Sequence, residues 1–372
     1  MSQSERLKVL VVDDSAVVRQ IFTDVLGQTG DMEVVTAADP LIAMTKMERG
    51  RPDVIVLDLE MPRMDGLTFL RKLMAENPLP VVICSGLVGR GSQQALQALE
   101  QGAVGIIAKP RLGIREFLYE SALMMIDSIR GAAKARIGAR SLTSVPCPAP
   151  QIAIEPKYNA DVVVPKIEKR FVEPTEKVVV IGASTGGTEA LRDLFSRLPI
   201  SVPGIVVVQH MPETFTRAFA DRLNTDLPLA VKEAEHGDRV TRGTVLIAPG
   251  NRHLMLARCG RSYMVEVKDG PLVSRHRPSV DVLFRSAAQC AGGNALGIIL
   301  TGMGDDGAAG MNEMLEAGAR TIAQDEHTCV VYGMPREAVV RGAAERVLPL
   351  HGISGAIMDW SERFLPAAQF LR

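Results

Sequence analysis

Aromatic residues are scarce in this chain, at 4% with a single tryptophan, neither sign of charge prevails, and no long unbroken apolar run occurs. Each shortage excludes something. A membrane span needs roughly 18 consecutive apolar residues, so the chain is expected not to be membrane-inserted. The N-terminal MSQSERLKVL has no apolar segment before a cleavage site, and the expected location is therefore cytoplasmic. A formal net charge of -1 supplies no basic face for a phosphate backbone, and no nucleic-acid partner is expected. Cys84, Cys147, Cys259, Cys290 and Cys329 are odd in number and widely spaced, with no CxxC pair. They form neither a disulfide framework nor a metal-ligand pattern, which suits a reducing compartment.

What is present is apolar content, 47% over 372 residues, enough to bury more than one core. Between residues 8 and 130, short apolar runs (8–12, 33–36, 54–57, 80–84, 104–108) alternate with amphipathic stretches (16–27, 40–49, 66–75, 92–101, 113–129). Five βα units predict a flavodoxin-like, doubly wound parallel sheet in a first domain, 1–130. Residues 131–176 lose the periodicity and hold six of the 22 prolines, the composition of a flexible linker with extended segments. In a second domain, 177–372, strands near 177–182, 204–209, 295–300 and 320–324 alternate with helices near 187–198, 213–224, 278–290 and 307–317. A second, Rossmann-like parallel sheet follows. Between 229 and 275, GTVLIAPGN and YMVEVKDGP read as short strands with turns, an antiparallel hairpin insertion at the sheet's edge. The fold class is α/β.

Asp13 and Asp14 end the first strand, Asp58 ends the third, Ser85 follows the fourth and Lys109 the fifth. A doubly wound sheet brings all five to its C-terminal edge, where ligands bind. Three carboxylates in one place repel one another unless a hard cation neutralises them, and Mg2+ takes oxygen ligands while leaving room for phosphate oxygens. Asp58 is then the candidate phosphoryl acceptor, with Lys109 pairing the added charge. Any one of these carboxylates alone reads as a helix cap; the set does not.

The run VVVIGASTGG (178–187) is a buried-strand pattern that breaks into a glycine-flanked serine before a helix. Ser184 is the candidate nucleophile. The next strand ends in His210, and Leu300 leads into TGMGDDG, which carries Asp305 and Asp306. A serine hydroxyl is a weak nucleophile near neutrality, so it needs an imidazole to take its proton and a carboxylate to fix the tautomer. The amides at the N-terminus of the helix after Ser184, and the Met303 amide between Gly302 and Gly304, are candidate donors to a developing oxyanion.

Residues 182–186 also fit GxSxG, but histidine precedes aspartate here, the reverse of the α/β-hydrolase order. A dinucleotide-binding turn is disfavoured because GASTGG lacks the GxGxxG order and the following strand ends in Gln209-His210, not in an acidic residue. A binding module without turnover stands as the other class. His276 reads equally as substrate-binding or as loop packing. Arg275 and Arg277 read as recognition of acidic neighbours or as solvated loop charges, and Gln324 and Asp325 as site-shaping or capping.

The motifs VVDDS, VLDLEMPRMDG, CSG and AKP resemble the receiver domain of two-component response regulators, over residues 8 to about 130. The resemblance implies Mg2+ at Asp13, Asp14 and Asp58, phosphorylation of Asp58 by a histidine kinase of the CheA type, and a switch formed by Ser85 and Lys109. Ile106 stands where many receivers carry an aromatic residue, and the proline after Lys109 suggests a cis bond, as in that family. IGASTGG, VVVQHM, SRHRPSVDVLF, LTGMGDDGAAGM and AQDEHTCVVYGMP resemble the catalytic domain of the CheB chemotaxis methylesterase family, from about 177 to 370. That resemblance implies a protein-glutamate methylesterase and protein-glutamine glutaminase acting on methyl-accepting chemotaxis receptors and controlled by phosphorylation. It also implies Ser184 as nucleophile, His210 as base and Asp306 as orienting acid, with Thr185, His276 and Met303 at further active-site positions and no metal in the esterase step. Asp305, often asparagine in that family, leaves the partner of His210 to be checked directly.

Overall fold

The computed structural model describes residues 6–86, 90–109, 115–137, 157–166 and 176–362. They fall into two compact units that divide between Lys157 and Tyr158.

In the first unit the strands are β1 (Leu7–Val12), β2 (Met32–Ala37), β3 (Val54–Asp58), β4 (Val81–Ser85) and β5 (Gly105–Ala108). Each is followed by a helix: α1 (Ala16–Gly27), α2 (Pro40–Arg49), α3 (Gly66–Glu76), α4 (Arg90–Glu100) and α5 (Arg115–Ala133). All pairings are parallel, in the order β2-β1-β3-β4-β5, the flavodoxin-like arrangement expected. β3 and β4 are buried along their whole length, as their unbroken apolar runs require. Ser15 and Asp39 cap α1 and α2 by accepting first-turn amides.

The second unit continues with β6 (Val178–Ala183), α6 (Gly187–Ser196), β7 (Gly204–Gln209), α7 (Glu213–Asp226), β8 (Ala230–Glu233), β9 (Arg239–Val240) and β10 (Thr244–Ile247). Then come β11 (His253–Cys259), β12 (Ser262–Lys268), α8 (Val280–Cys290), β13 (Ala295–Ile299), α9 (Ala308–Glu316), β14 (Arg320–Gln324), α10 (Met334–Val340), β15 (Arg346–Leu348) and α11 (Leu350–Glu362). Seven parallel strands run in the order β15-β14-β13-β6-β7-β10-β8. Chain progress reverses direction across the sheet between β6 and β13, and such a switch point opens a crevice at the strands' C-terminal ends. Val178, Val180, Val206, Leu283, Phe284 and Ile299 are among the fully buried residues of the core here. Burying each such side chain stabilises the fold by about 1.5–3 kcal/mol.

The antiparallel insertion is present as a three-stranded sheet, β11-β12-β9. GTVLIAPGN departs from the expectation. Its strand, β10, joins the main sheet in parallel between β7 and β8, because Val245, Leu246 and Ile247 are buried on both faces, as a central strand demands. Of the stretch read as linker, residues 138–156 and 167–175 lie outside the described residues. Residues 157–166 are described, and they pack on the second unit, with Ala160 and Val164 buried against Val273 and Val282.

Candidate functional site

In the first unit, Asp13, Asp14 and Asp58 bring carboxylate oxygens within 4.8 Å of one another. Lys109 Nζ donates to Asp58 Oδ2 at 2.6 Å and stands 3.3 Å from Asp13 Oδ2. Strand register explains the convergence: Asp58 pairs with Cys84, and Ser85 with Ala108, so all these groups leave the same sheet edge. Ser85 is buried there, and its carbonyl accepts the Lys109 amide at 2.9 Å. Burial and the charge of Asp13 push the Asp58 carboxyl up to about 6, against the lowering effect of Lys109. Asp13 is raised as well, by burial first and by Asp14. One lysine does not satisfy three carboxylates. An all-oxygen donor set with excess negative charge, in which the ammonium of Lys109 is the one cation close to the buried Asp13 and Asp58 among the described residues, fits a hard divalent cation. Ile106 is half-buried. The cis expectation for Lys109-Pro110 involves Pro110, outside the described residues.

In the second unit, β6 and β7 pair Ala183 with Gln209, so the next residues on each strand, Ser184 and His210, are lateral neighbours. Adjacent strands lie about 4.8 Å apart. On the other side of β6, the Ser184 amide donates to the Thr301 carbonyl at 3.0 Å, and a Cβ added at Gly302 would stand 2.7 Å from Ser184 Cβ. The serine therefore sits at the switch point. Gly186 turns the chain into α6 with φ 77°, a region L side chains rarely adopt. Gly182 serves close approach, since a Cβ there would meet Val280 Cγ1 at 2.2 Å.

That approach presses the N-terminus of α8 against β6 and creates the carboxylate's seat. Asp306 Oδ1 accepts the Ser279 hydroxyl at 2.8 Å and the Asp281 amide at 3.0 Å, while Oδ2 accepts the Val280 amide at 2.8 Å. His210 Nε2 lies 2.8 Å from the same Oδ2. Asp306 is fully buried, which alone would raise its carboxyl; the hydrogen bond and charge of His210, the charge of His276 and the α8 amides hold it well below the usual carboxylate range. With Nε2 facing the carboxylate, Nδ1 of His210 is the remaining nitrogen, buried and without a hydrogen-bond partner among the described residues. Asp305 does not share this seat. It lies 3.9 Å from Arg341, and Asp306 alone of the two meets His210.

His276 stacks on His210, ring centroids 3.7 Å apart and planes 4° from parallel. Its Nδ1 donates to the Ser274 carbonyl at 2.8 Å. His210, His276 and Asp306 are close enough together to suggest a metal site, but parallel stacked rings direct their in-plane lone pairs side by side, away from a common point. Thr185 and Met303 are half-buried beside Ser184 in sequence and across from it, and Thr301 Oγ1 donates to the Thr185 carbonyl at 3.0 Å. Arg277 is occupied, donating to Asn251 Oδ1 at 2.7 Å and to the Gly270 carbonyl at 2.6 Å, which makes it a loop brace. Gln324 accepts the Thr301 amide at 2.8 Å and so shapes the site from behind; Asp325 caps the turn that follows, accepting the Thr328 amide.

Sequence reasoning missed Ser279, Asp281 and Thr301. The signal for the first two was present in SVD at a helix start, a Ser cap followed by an acidic first turn. Asp281 accepts the Gly307 and Gly310 amides at 3.0 and 2.8 Å and the Ser274 hydroxyl at 2.9 Å. Burial and the charge of Asp306 push it up to about 7.

Residues 179–357 match the family model for CheB methylesterase, and residues 9–116 match that for the response regulator receiver domain. Among curated proteins, the chain is 57% identical to protein-glutamate methylesterase/protein-glutamine glutaminase 3 of Geobacter metallireducens, over 95% of this chain and 99% of that one. It is likewise 57% identical to a protein of the same name, numbered 2, from Xanthomonas campestris pv. campestris, over 94% and 99%. Among solved structures, the Thermotoga maritima CheB methylesterase catalytic domain is 40% identical, covering 50% of this chain and 98% of its own, with a TM-score of 0.49. No described helix is long and apolar enough to cross a membrane.

Proposed function

Because this chain belongs to the protein-glutamate methylesterase/protein-glutamine glutaminase family and carries a receiver domain ahead of its CheB methylesterase domain, we propose that Ser184, His210 and Asp306 are its catalytic triad and that Asp58 phosphorylation controls them. The observation that carries the proposal is the hydrogen bond from His210 Nε2 to a carboxylate whose other acceptor sites are filled by two α8 amides and the Ser279 hydroxyl. Asp306 has no lone pair to spare for any other task, so it stays ionised and holds the Nε2–H tautomer. Nδ1 is then the base.

In this reading Ser184 Oγ attacks the side-chain carbonyl carbon of a methylated glutamate while His210 Nδ1 takes the hydroxyl proton. The carbonyl oxygen becomes an oxyanion beside the Met303 amide. Collapse of the tetrahedral intermediate breaks the ester C–O bond, and His210 returns its proton to the departing methanol. Water, deprotonated by the same nitrogen, hydrolyses the acyl-enzyme and restores Ser184. With a glutamine side chain the leaving group is ammonia. Thr185 and His276 line the site, and His276 keeps the plane of the His210 ring fixed.

The substrates are the methylated glutamates and certain glutamines of methyl-accepting chemotaxis receptors, reached from the cytoplasm. Asp13, Asp14 and Asp58 would hold Mg2+, which supplies charge neutralisation for phosphoryl transfer from a CheA-type histidine kinase. Ser85 and Lys109 would then sense the phosphoryl group.

The test is methanol release from methylated receptor membranes by wild type, Ser184→Ala and Asp58→Asn, each with and without acetyl phosphate and Mg2+. Wild type should release methanol faster with the phosphodonor, Asp58→Asn should show no such increase, and Ser184→Ala should lose about 10⁴-fold or more in rate. Turnover by Ser184→Ala at the wild-type rate would sink the triad. Stimulation that survives in Asp58→Asn would sink the control.

A further inference from the structure

Residues 158–166 lie within a proline-rich stretch that looks like spacer, yet they are fastened to the catalytic unit by three kinds of contact. Ala160 and Val164 are buried against Val273 and Val282. The Arg285 guanidinium, almost fully buried, donates to the Asp161 carboxylate and, at 3.1 Å, to the Val164 carbonyl, while its other nitrogens engage Glu313 at 2.8 and 2.6 Å. Gln289 donates to the Pro165 carbonyl at 2.8 Å. A buried guanidinium stripped of half its acceptors is strongly destabilised, so the segment is part of the packed unit.

A further contact reaches toward the active site. The Tyr158 carbonyl accepts the Ser274 amide at 2.9 Å. Val273 and His276 bridge in antiparallel fashion, and the two residues between them, Ser274 and Arg275, have φ 50° and 69°. Positive φ at both central positions is what a type I′ turn requires, and Asn-Gly, not Ser-Arg, is the sequence that adopts it cheaply. Each such residue costs about 1 kcal/mol or more, so the turn persists only if its surroundings hold it. They do so from two sides: the Ser274 hydroxyl on Asp281, and the Ser274 amide and Val273 side chain on the segment 158–164. The Ser274 carbonyl, thus fixed, accepts His276 Nδ1 and sets the ring that stacks on His210.

We propose that residues 158–166 are a strap that positions His276, and through it the His210 ring, for the esterase reaction, with Asp161 and Val164 as positioning residues. This rests on the reading of His210 as the base. The strap gives the stretch between the two units a role besides tethering.

The experiment uses the full-length chain and compares wild type with Asp161→Ala, Val164→Asp and the conservative Val164→Ile. It measures kcat and KM for methanol release, the thermal midpoint, and the ring NMR resonances of His210 and His276. Val164→Asp should lower kcat about tenfold with KM within about twofold, and should shift both sets of ring resonances. Asp161→Ala should show the same pattern at roughly two- to fivefold, and Val164→Ile should match wild type. The half-exposed Asp161 is one of the strap's two acceptors for Arg285, so its replacement is the milder change and decides the matter if Val164→Asp does not fold. Unshifted ring resonances in folded Asp161→Ala would overturn the strap's positioning role, whatever happens to kcat. Shifted resonances with unchanged kcat would overturn its part in the reaction. Should Ser184→Ala retain turnover, the triad fails instead, and the resonances still report on the strap.

Discussion

Asp58 and Asp306 stand at equivalent places, the C-terminal edge of a parallel sheet, and have opposite electrostatic fates. Asp58 shares its pocket with two carboxylates and receives one lysine and the Glu60 amide, and its carboxyl is pushed up to about 6. Asp306 receives a histidine, a hydroxyl and two amides at the start of α8, and is held well below the usual range despite complete burial. The first is a site with excess negative charge, which an added divalent cation offsets and a phosphoryl group would increase. The second is finished when the chain folds. A switch needs the former kind of edge and a catalytic base the latter.

The largest effect should come from unsaturating the finished edge. Asp306→Asn leaves a group of the same shape that can present N–H to His210 Nε2, which forces the wrong tautomer. A fall in kcat of about 10³–10⁴-fold is expected, with a lowered thermal midpoint, because in either orientation the new NH2 faces a buried α8 amide. Loss of less than tenfold in steady-state methanol release would make the two edges equivalent after all.

A smaller effect should come from relieving the strained edge. The ordinary Asp value is 3.8 and Asp58 in the folded protein is raised to about 6, so the folded state holds the extra proton between those values. Stability from this group is therefore complete below pH ~4 and lost as pH rises through about 6. For Asp306 the sign reverses: its contribution is present above pH ~4 and is lost as pH falls further. Asp58→Asn should accordingly stabilise the first unit by about 1–2 kcal/mol at pH 7 without Mg2+, and by little at pH 4. Urea unfolding at the two pH values checks it; equal gains at both would remove the charge argument.

The smallest effect sharpens the comparison. Mg2+ at about ten times its dissociation constant should stabilise the first unit of wild type by about 1.4 kcal/mol. The same addition should do much less for Asp13→Asn, and nothing to the transition of the second unit. Calorimetry with and without EDTA distinguishes these; an equal shift of both units would place the cation elsewhere.

Much of this was legible beforehand. The strands around Val54–Asp58, Val178–Ala183 and Gly204–Gln209 appear in the sequence as β-branched runs ending in a polar residue, because a strand buried on both faces admits little else. The convergence of Asp13, Asp58, Ser85 and Lys109 follows from the parallel topology alone, since every strand ends on one edge. β10 was misread because a four-residue apolar run between turns looks the same in a hairpin as in a central strand. Ser279 and Asp281 escaped notice because a cap and a first-turn acid are commonplace until a second carboxylate is found resting on them.

The amino-acid sequence by itself determined where strands end and which reactive side chains stand there, since both depend on local patterns of branching, glycine and charge. Tertiary structure alone decided which amides and hydroxyl surround Asp306 where His210 meets it, that His276 stacks on that ring, and that 158–166 belongs to the catalytic unit. Those outcomes join residues roughly a hundred positions apart. They turn on burial and on which amides and charges surround a carboxylate, and a side chain acquires such an environment only when the sheet has formed and the helices have closed over it.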